Sequence, residues 1–396
     1  MKIQVISTSA YPKGNVTTKR VHFLCKGLVE NGLNVNLLIT NPTEVNWIER
    51  NSQPYGSFEN VDFSYIGNQV IRKKNKIIRK IIDFYCHLLV LKQILLNKKN
   101  FDLFLIIGTS LDFRFFIPLL VKFNRKKIIL EINEYLFVSK KNNLLTKIKR
   151  IIITFFHFPL FDGFIVISTK LKDFIQKYKS KKSEIIIIPI IGDFPPDNKK
   201  QNGFQEKYIT HIGSLSDSKD GILGILSAIK KSLSEIDENI LKLYITGNHH
   251  SEKDKKIVLN HIEKLGLDDS VSFLGHLNNE ELNKLILNSS FVIINKPYNQ
   301  QNIYCFPTKI IDYIYNRVPM IISSVGDVNR YFIDGENALI IDPDNQELLV
   351  NAINRLIQDP VLGKKLSTNA LMLLEKDLNY LYNSSLLKIF FEKSNI

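Results

Sequence analysis

The residues best suited to chemistry lie in one stretch of the chain, from Tyr304 to Asp344. Pro307 and Thr308 precede a predicted helix, at a place where proline loses no hydrogen bond and the neighbouring amides can bind an anion. Lys309 and Asp312 are three residues apart and therefore share one face of this helix. Together they could bind a phosphorylated ligand that also carries a diol. An ordinary amphipathic helix start with a surface ion pair would give the same spacing.

Short apolar runs that alternate with helical patterns predict the elements that position these residues. In the first half of the chain, the predicted strands are residues 3–8, 35–40, 102–107, 127–132, 164–168 and 185–189. In the second half, before the Tyr304 stretch, they are residues 208–213, 241–246, 271–275 and 291–295. Such an alternation predicts doubly wound α/β sheets, which bind ligands at the carboxyl ends of their strands.

The length of 396 residues is long for one hydrophobic core and suits two domains. Residues 192–203 are polar and rich in proline and glycine, which is typical of a linker. We therefore expect an N-terminal domain at residues 1–195, a linker at 196–203 and a second domain at 204–370. Residues 371–396 form a tail with a helical pattern.

The chain is strongly basic, with a net charge of +14 from 53 basic and 39 acidic residues. This charge favours an anionic partner, which could be nucleic acid, phospholipid headgroups or a phosphorylated substrate. We rank nucleic acid lowest, because no RNA-binding, helix-turn-helix or zinc-finger pattern accompanies the charge. Residues 71–96 and 140–161 place basic residues beside an apolar helical face, a pattern typical of an anchor on anionic lipid. Two core helices with solvated basic ends would give the same pattern.

The cysteines and the apolar runs bear on the cellular compartment. Cys25, Cys86 and Cys305 are far apart and lack C-x-x-C spacing, which fits a reducing compartment and argues against a cysteine metal site. The chain begins with a strand pattern instead of a signal peptide, and no segment keeps about 18 uncharged apolar residues. We therefore expect a cytoplasmic protein without a spanning helix.

The segment from Asp312 to Ile322, followed by Asp334-Gly-Glu-Asn, resembles the nucleotide-sugar half of the GT-B glycosyltransferases, in particular family 4, the glycosyl transferases group 1 type. In that family a helix with an acidic residue precedes a Gly-x-Pro-Val-Ile strand and a D-G-x-N-G segment. The family's E-x7-E motif falls on Tyr304 and Asp312, so that Tyr replaces the first acid and Asp the second. The resemblance covers residues 204–370 well and residues 1–195 weakly.

The resemblance also implies a donor site. The family's G-R-x-x-x-x-K-G motif places an Arg and a Lys on the leaving diphosphate, and Gly213 and Lys219 are in register with it. Ser214 replaces the Arg, and Lys309 could supply the second cation. The donor-binding residues implied in this way are Gly14, Asn15, Gly213, Ser214, Lys219, Gly247, Gly275, Pro307, Thr308, Lys309 and Asp312.

Asn133 and Glu134 follow the predicted strand at residues 127–132, where the family often carries a His-[DE] pair that meets the donor sugar. Asparagine keeps hydrogen-bond donors and acceptors for sugar hydroxyls but removes a titratable base. The catalytic residues implied by the resemblance are therefore Asn133, Glu134 and Lys219.

As a whole, the resemblance implies a GT-B fold, in which two Rossmann-like doubly wound domains face a cleft. It also implies that the tail at residues 371–396 is a C-terminal helix that crosses back to the first domain. It implies a retaining, hexosyltransferase-type enzyme that moves a sugar from a nucleoside-diphosphate sugar to a hydroxyl without a metal, the leaving phosphate assisting the incoming hydroxyl. The basic apolar segments favour a lipid-linked saccharide acceptor and an anionic membrane surface as partners, and no nucleic acid. We therefore expect a peripheral protein on the inner face of a bacterial cell membrane, active in the assembly of capsule or O-antigen.

Other functions are compatible with the same residues. The missing Arg and Glu favour a catalytically inactive GT-B-like binding protein. A GT-B epimerase acting on a UDP-sugar would need carboxylates, for which Asp112 and Glu134 are candidates.

Two patterns could indicate a metal site. Asp342 and Asp344 match the D-x-D of metal-dependent glycosyltransferases, but Asp344 with Glu347 also predicts a capping box for a helix that begins at Gln346. We prefer the cap, because a carboxylate there binds free amides whether or not a metal is present. His249-His250 are adjacent, and adjacent loop residues rarely converge on one ion.

Overall fold

The structure is a computed structural model that describes residues 1–45, 51–97, 99–108, 116–138, 144–196, 208–213, 215–236, 242–247 and 251–393. The chain forms two compact units. Unit 1 contains Met1–Ile191 and Tyr380–Ile396, and unit 2 contains Gly192–Asn379. Unit 1 thus ends at Ile191, four residues before the predicted domain end at residue 195. Of the predicted linker at residues 196–203, only Pro196 lies within the described part of the chain.

Unit 1 is a doubly wound α/β domain. Its strands are Lys2–Ser7 (β1), Asn34–Ile39 (β2), Glu44–Val45 (β3), Tyr55–Phe58 (β4), Val61–Tyr65 (β5), Ile71–Arg72 (β6), Leu103–Ile107 (β7), Lys127–Ile132 (β8), Gly163–Val166 (β9) and Glu184–Ile187 (β10). Its first helices are Val16–Glu30 (α1), Lys76–Asn97 (α2), Phe116–Phe123 (α3), Leu144–Ile151 (α4), which continues into a π-helical turn at Ile152–His157, and Thr169–Gln176 (α5). All six strands predicted for this half are present, with ends within two residues of the prediction.

The main sheet of unit 1 has the strand order β10-β9-β8-β7-β1-β2-β5-β4. Its neighbours are parallel except β4 and β5, which are antiparallel. From β1 the chain moves to β2 on one side and later returns to β7 on the other. The carboxyl ends of β1 and β7 therefore form a topological switch point, where sheets of this kind bind ligands.

Unit 2 is a second doubly wound domain. Its strands are Tyr208–Ile212 (β11), Lys242–Thr246 (β12), Val271–Gly275 (β13), Phe291–Ile294 (β14), Met320–Ser323 (β15) and Leu339–Ile341 (β16). Its helices are Asp217–Asp220 (α6), Ile222–Glu235 (α7), Glu252–Leu265 (α8), Asn279–Leu287 (α9), Gln300–Ile303 (α10), Ile310–Tyr315 (α11), Val328–Tyr331 (α12), Gln346–Gln358 (α13) and Pro360–Leu371 (α14). The strands predicted for this half are confirmed to within one residue at each end.

The sheet of unit 2 is parallel throughout, in the order β13-β12-β11-β14-β15-β16. β14 (Phe291–Ile294) and β15 (Met320–Ser323) are buried along their whole length, as expected for strands covered by helices on both faces. The chain moves outward from β11 to β12 and later returns to β14 on its other side. The switch point of unit 2 therefore lies at the carboxyl ends of β11 and β14.

The last helix, Tyr380–Glu392 (α15), belongs to unit 1 and packs against α1. Leu387, Phe390 and Phe391 of this helix are buried in the core of unit 1. The tail predicted to be helical from residue 371 thus contains the end of α14, a short turn at Met372–Leu374 and this separate helix.

Candidate functional site

A cavity of about 330 Å³ opens at the carboxyl edge of the unit 2 sheet. The residues that follow β11, β12 and β14 line it, namely Gly213, Gly247 and Asn295. The cavity therefore occupies the switch point of this sheet. Six predicted donor-site residues lie together in its lining: Gly213, Lys219, Gly247, Pro307, Thr308 and Lys309.

Glycine is required where β11 and β12 end beside each other. Gly247 has φ +130°, and a Cβ atom there would lie 2.0 Å from the carbonyl oxygen of Gly213. A Cβ atom on Gly213 would lie 2.7 Å from Asp220 Oδ2. The amide of Gly247 donates to the carbonyl oxygen of Gly275 at 2.9 Å, so Gly275 supports this edge from the neighbouring strand. Side chains are thus excluded at Gly213 and Gly247, where these two strands end.

Three lysines line this cavity, and they differ in their partners. Lys219, on α6, makes no ion pair within the described part of the chain. Lys296 Nζ donates to Asp220 Oδ1 at 2.5 Å and to the backbone oxygen of Lys219 at 3.2 Å. Lys309 Nζ lies 3.7 Å from Asp312 Oδ2. Three cations beside two carboxylates leave the cavity net positive, which favours an anionic ligand.

Two buried polar side chains that line the same cavity each have one hydrogen-bonding atom without a partner among the described residues. His211 Nδ1 lies 3.4 Å from the carbonyl oxygen of Ile293, and its Nε2 has no hydrogen-bond partner among the described residues. Asn295 Nδ2 donates to the carbonyl oxygen of Gly221 at 3.2 Å, while its Oδ1 is also without a described partner. Burial lowers the pKa of His211, although the Asp220 carboxylate partly opposes this shift. The imidazole is therefore kept neutral, and one buried atom of each side chain has no hydrogen-bond partner among the described residues.

The helix of the Tyr304 stretch is short, six residues at Ile310–Tyr315. The amide of Ile310 donates to the carbonyl oxygen of Pro307 at 3.3 Å, so Pro307 precedes the first turn as predicted. Asp312 lies beside Lys309 on the same face, which confirms the predicted pairing, but Asp312 is not among the residues that line the cavity. Ser214, the residue at the position of the family's Arg, lies outside the described residues.

A second pocket, of about 360 Å³, lies at the carboxyl edge of the unit 1 sheet. Asn15, Asn133 and Glu134 line it together, as residues that follow β1 or β8. Asn15 Oδ1 also accepts from the amides of Thr17 and Thr18 at 3.1 and 3.4 Å, and so caps α1. The structure thus brings three residues that were predicted to contact the donor or its sugar into one polar pocket.

Gly14 lies next to this pocket, and its lack of a side chain has a local reason. A Cβ atom on Gly14 would lie 1.9 Å from Thr18 Oγ1, which donates to the carbonyl oxygen of Ala10 at 2.8 Å. Glycine therefore allows the loop after β1 to close onto the first turn of α1.

A buried ion pair holds the end of β8, just before Asn133. Arg20 Nε of α1 donates to Glu131 Oε1 at 2.6 Å, and both side chains are almost fully buried. Arg20 also donates to the carbonyl oxygens of Ile188 and Pro189 at 3.0 and 2.5 Å. This pair ties α1 and β8 to the segment after β10, and thereby fixes the strand end that carries the pocket residues.

Comparison with known proteins assigns a family to the residues around the unit 2 cavity. Residues 195–371 match the family model described as Glycosyl transferases group 1. This match lies within unit 2, and the fold of the chain is the GT-B fold. Sucrose-phosphate synthase from Thermosynechococcus elongatus is similar over 99% of this chain and 98% of its own, with a TM-score of 0.72 at 15% identity. HepE of Anabaena, solved in complex with UDP, is similar over 99% of both chains, with a TM-score of 0.68 at 13% identity.

Two relatives are detectable from sequence. The alpha-D-kanosaminyltransferase of Streptomyces kanamyceticus is 27% identical over 113 residues, which are 28% of each chain. The mannosylfructose-phosphate synthase of Agrobacterium fabrum is 24% identical over 204 residues, 48% of this chain and 44% of the relative. The aligned regions thus span less than half the length of either relative.

Some residues of the group 1 domain site could not be found from the motifs. Lys296 and Asp220 form an ion pair in the cavity wall. Asp220 directly follows the predicted Lys219, where the family motif has glycine, and Lys296 belongs to no motif. His211 and Asn295 lie within or directly after apolar strands, where a buried polar residue is itself a signal.

The two patterns that could indicate a metal site lie partly within the described residues. The predicted cap at Asp344 is wrong: Asn345 Oδ1 accepts from the amides of Glu347 and Leu348 at 3.1 and 3.2 Å. Asp342 Oδ1 instead accepts from the amide of Asp344 at 3.0 Å. Within the described residues, no three His, Cys, Asp or Glu side chains are grouped to hold a metal ion. His249-His250 and the epimerase candidate Asp112 lie outside those residues.

Proposed function

We propose that the protein is a retaining, hexosyltransferase-type glycosyltransferase that takes its sugar from a nucleoside-diphosphate sugar. The observation that carries this proposal is the positive cavity at the switch point of the glycosyl transferases group 1 domain. Its lysines supply the cations that a diphosphate needs, and its glycines let the diphosphate come close to the backbone. The UDP complex of HepE, a protein of the same fold, is in keeping with such a ligand.

The lysines of the cavity would bind the diphosphate and stabilise the charge that builds up as it leaves. Lys219 has no ion-pair partner among the described residues, and we propose that it makes the strongest contact. Lys296 and Lys309 would add the positive charge that the family places at the position of Ser214. Asp312, held beside Lys309, would bind the ribose diol.

The polar pocket of unit 1 would bind sugar hydroxyls. Asn133 and Glu134 supply amide and carboxylate groups there, and Asn15 and the loop at Gly14 form the neighbouring wall. We assign no nucleophile and no metal, and propose that the leaving phosphate assists the incoming hydroxyl. We propose that the acceptor is a lipid-linked saccharide in surface polysaccharide assembly. The protein would then act at the inner face of the cell membrane. Nucleic acid would not be a partner.

A catalytically inactive GT-B-like binding protein is the second candidate. Two substitutions favour it: Ser214 stands where the family has Arg, and Tyr304 stands where it has Glu. Such a protein would bind a nucleotide sugar without transferring the sugar.

A thermal-shift screen against UDP, GDP and their sugar conjugates, without added metal, tests the donor site. A ligand that binds only the native state must raise the melting temperature, so one nucleotide series should give a clear rise. No rise with any nucleotide would contradict the proposed donor site. Transfer is tested next, by following label from the bound nucleotide sugar into lipid extracted from bacterial membranes. Binding without label in the lipid would favour the inactive binding protein.

A further inference from the structure

Helix α2 of unit 1 is apolar on two opposite faces. One face packs into the unit, with Cys86, Val90 and Ile94 buried. The other faces outward and carries large apolar side chains that are 45–71% exposed: Ile77, Ile81, Phe84, Leu88 and Leu95. Successive positions are three, four or seven residues apart, which is one or two helical turns, and the five side chains therefore form a single stripe. A helix that only covered the core would not need this second stripe.

Helix α4 and its π-helical extension repeat the pattern. None of the residues of α4 is buried. Its apolar stripe is 43–72% exposed and consists of Leu144, Ile148, Ile151 and Phe155, which have the same relative spacing as the first four residues of the α2 stripe. The two segments that sequence analysis singled out are thus alike in three dimensions, and the hypothesis of two core helices fails to account for their outward faces.

Chain topology places these helices on one side of the unit 1 sheet. The connections from β5 to β7, from β7 to β8 and from β8 to β9 run in the same direction across the sheet. Because crossovers between parallel strands are right-handed, α2, α3 and α4 lie on the same face. α1 connects β1 to β2 in the opposite direction, and lies with α15 on the other face. α3 contacts α2 and adds the exposed side chains of Phe116, Leu119 and Phe123.

The charge around the two stripes is almost entirely positive. Residues 72–97 contain Asp83 as their one acidic residue, and their basic residues are Arg72, Lys73, Lys74, Lys76, Arg79, Lys80 and Lys92. Residues 144–160 contain no acidic residue, and Lys147, Lys149 and Arg150 of α4 are exposed. Apolar stripes flanked by exposed cations match the two layers of an anionic bilayer surface, acyl chains below and phosphate headgroups above.

We propose that the outward faces of α2, α3 and α4 form a membrane-binding surface that docks on bilayers rich in anionic lipid. The apolar stripes enter the interface, and the flanking cations contact the headgroups. Within the described residues, no helix has both the length and the apolar character needed to cross a membrane. This inference deepens the proposed function, since a bilayer is where a lipid-linked acceptor is met, yet vesicle binding does not require sugar transfer.

Vesicle co-sedimentation of the full chain tests the surface. The protein should sediment with vesicles of equal parts phosphatidylcholine and phosphatidylglycerol, and much less with phosphatidylcholine alone. The variants Ile81→Ser/Leu88→Ser and Arg79→Ser/Lys80→Ser should each weaken binding about tenfold or more, since they remove anchor and headgroup contacts. Matched variants on α8 of unit 2, Ile257→Ser/Leu259→Ser and Lys253→Ser/Lys256→Ser, should bind like the parent protein. Equal binding to both vesicle types, no binding to either, or equal losses in the α8 variants would overturn the proposal.

Fluorescence gives a second readout that does not depend on loss of binding. Phe84→Trp should show a blue shift with anionic vesicles, and Val361→Trp in unit 2 should not; the one natural tryptophan contributes equally to both. The apolar face could instead join two copies of the chain. In that case light scattering will give twice the monomer mass, and the fluorescence of Phe84→Trp will be blue-shifted without vesicles. This result would overturn membrane docking. The nucleotide thermal shift should be the same in all these variants, so failure of the surface and failure of the donor site are separable.

Discussion

Replacing Lys219 by alanine tests the cation that we propose makes the main contact with the diphosphate. Its backbone oxygen accepts from Lys296 Nζ at 3.2 Å, a contact that alanine retains, so the variant removes only the side-chain charge. Loss of one hydrogen bond to a charged group costs about 1.5–3 kcal/mol, which corresponds to a rise of about 10- to 150-fold in the Kd for nucleotide. Lys309 shares its charge with Asp312, so Lys309→Ala should cost less than Lys219→Ala.

Isothermal titration calorimetry at low salt, with UDP or the nucleotide that the thermal screen identifies, measures this loss. Low salt matters because screening weakens contacts between exposed charges. The matched control is Lys231→Ala on α7, whose Nζ forms an exposed pair with Glu347 at 3.9 Å. Neither residue lines the cavity, and such pairs contribute only about 0–1 kcal/mol to stability, so this control should leave the Kd for nucleotide nearly unchanged. If Lys219→Ala binds as tightly as Lys231→Ala, the assignment of Lys219 to the diphosphate is refuted.

Three further predictions concern stability. Gly247→Ala should lower the free energy of unfolding by about 2 kcal/mol or more, measured by urea titration, because of its positive φ and the approach of its Cβ to Gly213. Arg20→Leu should cost about 3–5 kcal/mol in the same assay, by leaving the Glu131 charge buried without its partner, and Arg20→Leu/Glu131→Leu should recover much of this. Burial lowers the pKa of His211, so below about pH 6.5 the unfolded chain binds more protons than the folded chain. The melting temperature of the parent protein should therefore fall on acidification, and it should fall less in His211→Gln. Equal slopes of melting temperature against pH in the two proteins would contradict this prediction.

Most of the strands could be predicted because they are buried on both faces and appear as continuous apolar runs. The β8 strand, Lys127–Ile132, has the bounds that the sequence pattern predicts. The antiparallel β4 strand, Tyr55–Phe58, was missed because all four of its residues are exposed and therefore give no apolar pattern. Its place in the sheet is set by pairing with Val61–Tyr65, a tertiary effect that local pattern does not contain.

The candidate site was predictable only as separate pieces. The glycine and lysine positions were implied by the resemblance to the family's motifs, in which glycine lets a ligand approach the backbone and lysine supplies positive charge. The pair of Lys296 and Asp220 joins residues 76 positions apart, and no local spacing reports such a contact. The cap of α13 was misplaced by one residue for a different reason. Asp344 and Asn345 can both cap a helix, and the extended backbone of Asn345, with φ −110° and ψ 96°, decides between them.

The return of the chain to unit 1 at Tyr380 makes unit 2 an insertion within unit 1. During synthesis, unit 2 can finish folding while unit 1 still lacks α15. Until residues 380–392 leave the ribosome, the side of unit 1 that receives Leu387, Phe390 and Phe391 is exposed. Unit 1, although its residues are translated first, is therefore the last to become stable, and the nascent chain passes through a state in which chaperones have an apolar surface to bind.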